Sequence, residues 1–332
     1  MIADNQGEWS SKDAAVDVSI VIVSYNVREY LAACLRSLDK GAEELRTEVI
    51  VVDNASRDGS ADRVARSFPQ VRLLRNDENV GFARAINRGL AVARGGWLLL
   101  LDPDTIVPPG ALDALVAAAE RWPEVGVAGP ALSDPTTGER QASFRPFVTW
   151  RVAFAQHTVA KPFLRRRQTP RFTPVADRPT DGGFLIGACL LIRRGVFTQV
   201  GGLDEGYFLF CEDMDYCRRA IQAGWKLLLT SEARVLHHEG KSAEQETPAS
   251  MRLVTLASLL HYLEGEPARH GATLRRLFKI GYLGQVTAQT LESALKSVVY
   301  TVGGARDGAH KHRRRLTRNL QLLARTGRVA RL

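Results

Sequence analysis

The sequence predicts an α/β fold built on a doubly wound parallel sheet, and three observations indicate it. Apolar strand patterns alternate with helical spacings four times before Trp122. The strand patterns are continuous apolar runs, which is typical of strands that are buried on both faces. Each of the longer runs ends in polar side chains, and sheets of this class bind ligands at the carboxyl ends of their strands.

The first two β-α units share one plan. The stretch "VSIVIVSYN" predicts a buried strand that ends at Tyr25 and Asn26, and "REYLAACLRSL" after it has helical spacing. The stretch "EVIVVDNASRDGS" predicts a second buried strand ending at Asp53, then a turn and a helix to about Phe68. Polar groups therefore follow both strands.

The third and fourth units repeat this plan. "VRLLRNDENVGFARAINRG" predicts a short strand, a loop that holds Asn76 and Asn79, and a helix from about Phe82. "GWLLLLDPD" predicts a strand that ends in Asp102 and Asp104, and "PGALDALVAAAERW" predicts the helix after it. Because parallel strands end at one edge of a sheet, we expect the polar residues of all four units to lie near each other.

The second half of the chain is less regular. Residues from about Ser133 to Thr180 hold several prolines and three consecutive arginines, so we expect a long, partly mobile insertion. Regular secondary structure is predicted again after this segment. "DGGFLIGACLLIRRGVF" predicts a strand flanked by glycines, and the acidic cluster "CEDMD" lies at the start of a predicted helix. A strand "KLLLT" and the stretch "VLHHEGKSA" end the domain near residue 245, and a helical, increasingly basic segment follows from about Pro248.

Composition and charge limit the class of protein. The chain has 332 residues, of which 45% are hydrophobic and 24% charged, as in globular proteins. Its net charge of +9 is unevenly distributed. Residues 265–332 hold 14 Lys and Arg against 3 Asp and Glu, whereas the rest holds 31 against 33. A near-neutral body therefore carries a basic tail.

Cysteine usage and hydropathy predict the compartment. The four cysteines form no CxxC pair, which suits a reducing compartment. The N-terminal stretch is polar and acidic, unlike a secretory signal. No apolar run approaches the roughly 20 residues that span a bilayer. We expect a cytoplasmic protein that can lie on a membrane without crossing it.

Asp102 and Asp104 allow two interpretations. They can form a turn and cap the following helix, or they can bind a divalent cation, since Mg²⁺ commonly takes one or two carboxylates together with substrate phosphates. A phosphatase of the haloacid-dehalogenase type has a DxDxT motif, and Thr105 stands one place too early for it. The phosphatase is therefore disfavoured, and the turn and the cation site both stay open.

The acidic cluster and the tandem histidines are also ambiguous. A helix dipole stabilises carboxylates in its first turn by about 0.3–1 kcal/mol each, but Glu212, Asp213 and Asp215 repel one another. They either cap the helix, or one of them is a general base whose pKa is tuned by the others. Adjacent residues at a strand end point in different directions, so only one of His237 and His238 can face a site. That imidazole either packs or completes a metal shell.

Taken together, these motifs resemble a known family. The ordered series "IVIVSYN", "VIVVDNASRDGS", "NVGFARAINRG", "LLLLDPDT", "FLFCEDMDYCRRA" and "VLHHEGKS" resembles the family 2 inverting glycosyltransferases of GT-A fold, and within them the bacterial rhamnosyltransferase branch. The resemblance covers about residues 17–245. It implies a polar N-terminal tail (1–16), a GT-A domain with a doubly wound mixed sheet (17–245), and a basic helical C-terminal extension (246–332).

The resemblance implies a binding site for a nucleotide-sugar donor. Tyr25, Asn26 and Asp53 would hold the base and ribose, with the aspartate accepting a hydrogen bond from the base. Asn79, in the family hallmark "NVGFARAINRG", is also assigned to this donor site.

The resemblance also implies the metal and catalytic residues. Asp102 and Asp104 would be the DxD pair that bridges Mg²⁺ or Mn²⁺ to the donor diphosphate. His237, the first residue of an HxxGxS pattern, would be a further ligand. Asp213 would be the catalytic base, with Glu212 beside it in the catalytic pair.

Departures from related families narrow the expected reaction. Processive members carry QxxRW after the acidic pair and several membrane spans, whereas here the only tryptophan after Asp213 is Trp225. Sugar nucleotidyltransferases need a glycine-rich "GxGTRxxP"-like loop, and "SYNVREYL" is not one. We expect non-processive, inverting transfer of L-rhamnose from dTDP-L-rhamnose to a lipid-linked saccharide of cell-envelope polysaccharide assembly. A UDP-hexose donor and a non-catalytic sugar-nucleotide scaffold are the alternatives.

The basic tail has three interpretations. Its apolar residues have mostly helical spacing and are flanked by Arg275, Arg276, Lys279 and Lys296. The tail can pack as an ordinary helical appendage, or it can lie on anionic lipid at the inner face of the cell membrane. The third interpretation is nucleic-acid binding through "HKHRRRLTR". This stretch lacks the aromatic or helix-turn-helix pattern of nucleic-acid binders, so we expect no nucleic-acid partner. The sequence does not address the oligomeric state.

Overall fold

The computed structural model of the chain describes residues 16–157, 177–239, 248–265 and 271–302, with a few positions between 313 and 320. The N-terminal tail, the arginine run at 165–167, and the last residues of the HxxGxS pattern lie outside these ranges. The expected mobility of the insertion therefore falls in part, over residues 158–176, on residues that are not described.

The described residues form strands and helices in alternation. The strands are β1 (Val18–Ser24), β2 (Thr47–Asp53), β3 (Arg72–Arg75), β4 (Trp97–Leu101), β5 (Thr105–Ile106), β6 (Val125–Ser133), β7 (Phe144–Arg145), β8 (Phe184–Leu185), β9 (Cys189–Arg193) and β10 (Lys226–His237). The helices are α1 (Arg28–Gly41), α2 (Ser60–Ser67), α3 (Phe82–Leu90), α4 (Ala111–Glu120), α5 (Trp150–His157), α6 (Arg194–Val200), α7 (Glu212–Gln222), α8 (Pro248–Glu264) and α9 (Gly271–Val302).

Eight of these strands form one mixed sheet in the order β3-β2-β1-β4-β9-β6-β10-β5. The first four run parallel, as their β-α pattern predicts. Strand β9 is antiparallel to both β4 and β6, while β10 is parallel to β6. The mixed α/β sheet confirms the predicted fold class, the parallel pairing predicted for the four β-α units holds for β1–β4, and β9 and β5 are the antiparallel strands.

Burial at the centre of the sheet explains the apolar runs. Strand β1 is buried along its whole length, and its register with β4 pairs Val18 with Trp97 and Ile22 with Leu101. Helix α1 adds Leu31, Leu35 and Leu38, spaced by four and three residues, to the same core. This packing fixes the strand ends from which the polar residues project.

Two short features differ from the sequence-based expectation. "KLLLT" and "VLHH" belong to one twelve-residue strand, β10, because the chain rejoins β6 after an irregularity between Thr230 and Arg234. The polar residues at the irregularity concealed this continuity. The two-residue strand β5, which was not predicted, pairs antiparallel with the end of β10. The insertion also contains elements of its own, β7 and α5.

The chain divides into two compact units, one of residues 1–147 and 170–245 and one of residues 148–169 and 246–332. In the second unit, Phe278 of α9 is fully buried and packs edge-on against Trp150 and Phe154 of α5. Helix α5, the described part of residues 148–169, thus packs against the C-terminal helix α9. Within the described ranges, no helix has the length and hydropathy that a bilayer span requires.

Candidate active site

The end of β4 forms a tight turn that presents two carboxylates. The backbone N–H of Asp102 donates to the carbonyl of Ala188 at 2.9 Å. Thr105 closes the turn, since its hydroxyl and its N–H donate to the carbonyl of Asp102 at 2.7 and 3.2 Å. Asp104 is 4% exposed. The turn and the cation site are therefore compatible, because the hydrogen bonds that close the turn join backbone groups and the hydroxyl of Thr105.

Strand pairing brings a histidine to these acids. Strand β5 pairs with β10 so that His237 lies opposite Thr105, and the N–H of His238 donates to the carbonyl of Asp104 at 3.0 Å. Nε2 of His237 lies 3.7 Å from Oδ2 of Asp102 and 3.5 Å from Oδ1 of Asp104. Only one of the tandem histidines faces the acids, since His238 packs edge-on against another ring, that of Tyr30.

The three side chains form a cluster able to hold a cation. One ligand atom from each of Asp102, Asp104 and His237 lies within 4.8 Å of the others. Burial, and then the charge of Asp104, raise the pKa of Asp102 to about 7. Burial lowers the pKa of His237, but the hydrogen bond and charges of the two aspartates outweigh it, and the net direction is upward. Two hard oxygen donors and one imidazole in an environment of excess negative charge fit a divalent cation.

The candidate base is held at the start of α7. Oδ2 of Asp213 accepts the N–H of Gly187 at 2.9 Å, and Oδ1 accepts the N–H of Met214 at 2.7 Å. Burial raises the pKa of Asp213 and outweighs these hydrogen bonds. Gly187 directly precedes Ala188, whose carbonyl anchors Asp102. Two consecutive residues thus connect the candidate base to the candidate metal ligands.

The other two acids of the cluster differ in their environments. Glu212 is 8% exposed, and its Oε2 has no hydrogen-bond partner among the described residues. Burial and the charge of Asp213 raise the pKa of Glu212 well above its ordinary value. Asp215 instead forms ion pairs with Arg218 at 2.8 Å and Arg219 at 2.7 Å. The third acid therefore stabilises the helix rather than the site.

The backbone before this acidic pair is strained. Phe210 and Cys211 have φ values of 70° and 68°, a left-handed conformation that costs a non-glycine residue roughly 1–2 kcal/mol. Two residues earlier, the carbonyl of Phe208 accepts the N–H of Phe82 at 2.7 Å. A Cβ on Gly81 would lie 2.8 Å from that carbonyl oxygen, so only glycine permits this approach. The contact joins the loop before α7 to the loop before α3.

A cleft of about 620 Å³ lies at the ends of β1, β2 and β3. Oδ2 of Asp53 accepts the N–H of Ser56 at 3.0 Å, while the buried Oδ1 has no partner among the described residues. Three of the residues predicted to bind the donor, Tyr25, Asp53 and Asn79, line this cleft. The full lining is Tyr25, Asp53, Ala55, Ser56, Arg57, Gly59, Ala61, Asp62, Arg75, Asn76, Asp77, Glu78 and Asn79.

Two predicted donor residues stabilise the loops around this cleft. Oδ1 of Asn79 accepts hydrogen bonds from the side chain of Asn54 at 2.8 Å and from the N–H of Gly81 at 3.0 Å. Asn26 is not among the lining residues, and its Oδ1 accepts the N–H of Arg57 at 2.6 Å. The contacts of Asn26 are therefore those of a residue that shapes the cleft wall.

Comparison with known proteins identifies the family. Residues 19–201 match the family model described as Glycosyl transferase family 2. The chain belongs to this family. This family 2 glycosyltransferase is 36% identical over 248 residues to the N-acetylglucosaminyl-diphospho-decaprenol L-rhamnosyltransferase of Mycobacterium tuberculosis, with 70% of this chain and 78% of the relative covered. It is 33% identical over 205 residues to an uncharacterized glycosyltransferase of Haemophilus influenzae, with 62% of each chain covered.

A solved structure also aligns with this chain at low identity. A mannosyltransferase from Pyrobaculum calidifontis, in complex with GDP-Man and Mn²⁺, aligns with a TM-score of 0.49 at 18% identity, over 94% of this chain and 88% of that one. The predicted family and its rhamnosyltransferase-like character are confirmed by the family match and the mycobacterial relative. A haloacid-dehalogenase-type phosphatase is excluded by this membership.

Proposed function

We propose that this glycosyltransferase transfers L-rhamnose from dTDP-L-rhamnose to a lipid-linked saccharide in cell-envelope polysaccharide assembly. One observation supports the transfer chemistry above all, namely the connection of Asp213 to Asp102 through Gly187 and Ala188 at the edge of the sheet. The sugar and the lipid-linked acceptor are suggested by the mycobacterial relative, whose name states both.

The cleft beside β2 would hold the nucleotide. Asp53 lines this cleft, and a carboxylate oxygen can accept the hydrogen bond that the N3–H of thymine or uracil donates. Tyr25 and Asn79 line the same cleft, while Asn26 would act by holding the loop that forms its wall. This environment suits dTDP and UDP equally, which is why a UDP-hexose donor stays the alternative.

Asp102, Asp104 and His237 would hold Mg²⁺ or Mn²⁺ at the next strand end. A divalent cation there supplies charge neutralisation for the departing nucleoside diphosphate. The three side chains fit this task because their ligand atoms converge, and because burial and the charge of Asp104 raise the pKa of Asp102, an unfavourable environment for its carboxylate that a cation would relieve. The residues bind and orient, and the reaction needs no covalent intermediate on the protein.

Asp213 would accept the proton of the acceptor hydroxyl. Its raised pKa makes it a stronger base than an exposed aspartate, and the amide of Gly187 fixes its direction. The acceptor oxygen forms its bond to the anomeric carbon as the bond to the diphosphate breaks, so one displacement inverts that carbon. Glu212 lies buried beside it, and its own raised pKa, caused by burial and by the charge of Asp213, means that the two acids are unfavourable in their ionised forms together.

A panel of donors would test the proposal. The protein is incubated with dTDP-L-rhamnose, UDP-glucose, UDP-galactose or GDP-mannose, and with a synthetic polyprenyl diphosphate N-acetylglucosamine, in Mg²⁺, Mn²⁺ or excess chelator. We expect a single rhamnose per acceptor, with the opposite anomeric configuration to the donor, and no product in chelator. Product only from a UDP-hexose would establish the alternative donor. Donor binding without product from any sugar would establish a scaffold.

The C-terminal unit supports a further part of the proposal, contact with an anionic membrane surface. Helix α9 buries Phe278, Tyr282 and Val286 on one side. At 100° per residue, an apolar stripe lies on the opposite side, with its members 51–67% exposed. The apolar stripe consists of Leu277, Ile280, Leu291, Leu295 and Val299.

The length of the apolar stripe and the basic charge of the tail indicate that lipid covers the stripe. From Leu277 to Val299 the apolar stripe extends over about 33 Å of helix. Arg276 and Lys279 lie beside its first members, and the tail as a whole is strongly basic. Apolar area together with basic charge is the pair of signals that holds a helix on anionic lipid. We therefore propose that the protein works at the inner face of the cell membrane, where a lipid-linked acceptor is accessible.

A further inference from the structure

Gln141 makes two hydrogen-bonding contacts to one histidine of the candidate metal cluster. It lies in the irregular segment after β6, and its backbone N–H donates to the carbonyl of Leu132 at 2.9 Å. Its side-chain Nε2 donates to the backbone carbonyl of His237 at 2.8 Å, and its Oε1 lies 3.1 Å from Nδ1 of the same histidine. One amide therefore contacts both the backbone and the ring of His237.

These contacts determine which ring nitrogen carries the proton. The carbonyl of His237 can only accept, so the amide nitrogen of Gln141 must face it and the amide oxygen must face the ring. An amide oxygen also only accepts, so Nδ1 must be the protonated nitrogen. In the neutral imidazole that a cation requires, the lone pair then lies on Nε2, which faces Asp102 and Asp104 at 3.7 and 3.5 Å; without a cation, a second proton on Nε2 can donate to Asp104.

We propose that Gln141 is a positioning residue that holds His237 in the Nδ1–H tautomer and so presents Nε2 to a divalent cation. The proposal rests on the metal site of the proposed function. Partners of this kind fix the orientation of a ligating histidine, and their loss weakens metal affinity by about 10–100-fold. The contacts also link the segment after β6 to the last residue of β10, two places that the sequence gives no reason to connect.

Two substitutions separate positioning from packing. Gln141→Met keeps the size of the side chain and loses both contacts. Gln141→Glu loses the contact to the carbonyl but keeps an acceptor for Nδ1–H. If Gln141 positions the ring, Gln141→Glu stays within about threefold of the wild-type Mn²⁺ affinity while Gln141→Met weakens it by about 10-fold. If the residue merely fills space, the order of the two variants is reversed.

Gln199→Met is a matched control. Gln199 likewise donates to a backbone carbonyl, that of Ala223 at 3.3 Å, and accepts from the ring N–H of Trp225 at 2.7 Å, away from the cluster. This substitution should leave the Mn²⁺ affinity unchanged, since it removes the same kinds of hydrogen bond elsewhere.

The measurements are Mn²⁺ binding by electron paramagnetic resonance, with and without dTDP, and the ring ¹⁵N signals of His237 in Mg²⁺. A His237→Gln sample assigns those signals among the 7 histidines of the chain. We expect protonated Nδ1 in the wild type and in Gln141→Glu, and a mixture of tautomers in Gln141→Met. Wild-type binding of Mn²⁺ with an unchanged tautomer and affinity in Gln141→Met would overturn this inference alone. Failure of the wild type to bind Mn²⁺ or Mg²⁺ would overturn the metal site as well.

Discussion

The active-site edge and helix α9 depart from ordinary packing in opposite ways. At the edge, ionisable groups lack partners or face like charge: Oε2 of Glu212 is buried with no hydrogen-bond partner among the described residues, and the carboxylate of Asp102 lies beside that of Asp104. On α9, apolar side chains are left in water, and Leu291 and Leu295 are both 67% exposed. Both arrangements are unfavourable for the chain alone.

In each region, the unfavourable feature is one that the proposed ligand would relieve. A cation would neutralise the buried acids, and lipid hydrocarbon would cover the exposed leucines. Removing an acid of the first region should therefore abolish cation binding and leave lipid binding intact, and removing a leucine of the second region should weaken lipid binding and leave cation binding intact.

The largest effect is expected for Asp104→Ala. The substitution removes one carboxylate from the cluster, so Mn²⁺ binding should be lost and transfer should fall by roughly 10³-fold. Vesicle binding should be unchanged. The stability of the metal-free protein should not fall, because a buried negative charge is removed. The control is Asp39→Ala, an exposed aspartate on α1. Full transfer by Asp104→Ala in excess chelator would disprove the metal site.

A smaller loss is expected for Asp213→Asn. Removing the proton acceptor should lower transfer by roughly 10²-fold while donor affinity persists. Asparagine has one oxygen for the two amides of Gly187 and Met214, so unfolding must be measured alongside. Asp215→Asn should show the reverse, with lower stability from broken ion pairs and little change in turnover per folded molecule. High turnover with lost donor binding in Asp213→Asn would place this residue in the donor site instead.

On α9, replacing either of two exposed leucines is expected to weaken vesicle binding by about 10-fold. Leu291→Ser or Leu295→Ser removes apolar area worth roughly 1–1.5 kcal/mol in lipid, so partition onto anionic vesicles should weaken by about that factor. Folding and donor binding should not change, and Thr287→Ser, also exposed, is the control. Salt should release the wild type from the vesicles.

The same experiment distinguishes another occupant of the apolar stripe. If a second copy of the chain covers it, ultracentrifugation will show a wild-type dimer that Leu291→Ser dissociates, and neither protein will respond to vesicle charge. That result would contradict the membrane proposal and would leave the active-site proposal standing.

The smallest expected effect is the contribution of Glu212 to the pH dependence of the free energy of unfolding. Its pKa is raised in the folded protein above the ordinary 4.5, so the folded state binds more protons than the unfolded state between those two pKa values. In excess chelator, the free energy of unfolding should therefore fall as pH rises above about 4.5. Glu212→Gln should remove part of this slope and raise stability at pH 8 by about 1 kcal/mol or more. An unchanged slope would mean that Glu212 is well compensated when ionised.

The sequence predicts the parallel half of the sheet well because its strands are local, apolar and followed by helices. Strands β1, β2 and β4 were placed within a few residues, and the polar ends at Asp53 and Asp102 followed from them. The roles of these site residues stay predictions until they are measured. The strand order explains why these residues lie at one edge of the sheet, since β2, β1 and β4 are parallel neighbours.

Long-range pairing could not be predicted from the sequence. Strand β9 lies between β4 and β6 although it follows both in the chain, and nothing in "CLLIR" specifies its direction. The contact of Gln141 to His237 spans 96 residues and begins in a segment without periodicity. On α9, helical spacing placed the apolar residues on a helix, but only packing against Trp150 and Phe154 decides that Phe278 faces inward.

The position of β9 has a consequence for biosynthesis. A nascent chain leaves the ribosome with β4 complete long before Cys189–Arg193 has been translated. During that interval the five apolar residues of β4 form an open sheet edge, which other chains can pair with. Truncations that stop before residue 189 should therefore aggregate, whereas those that include β9 close this edge.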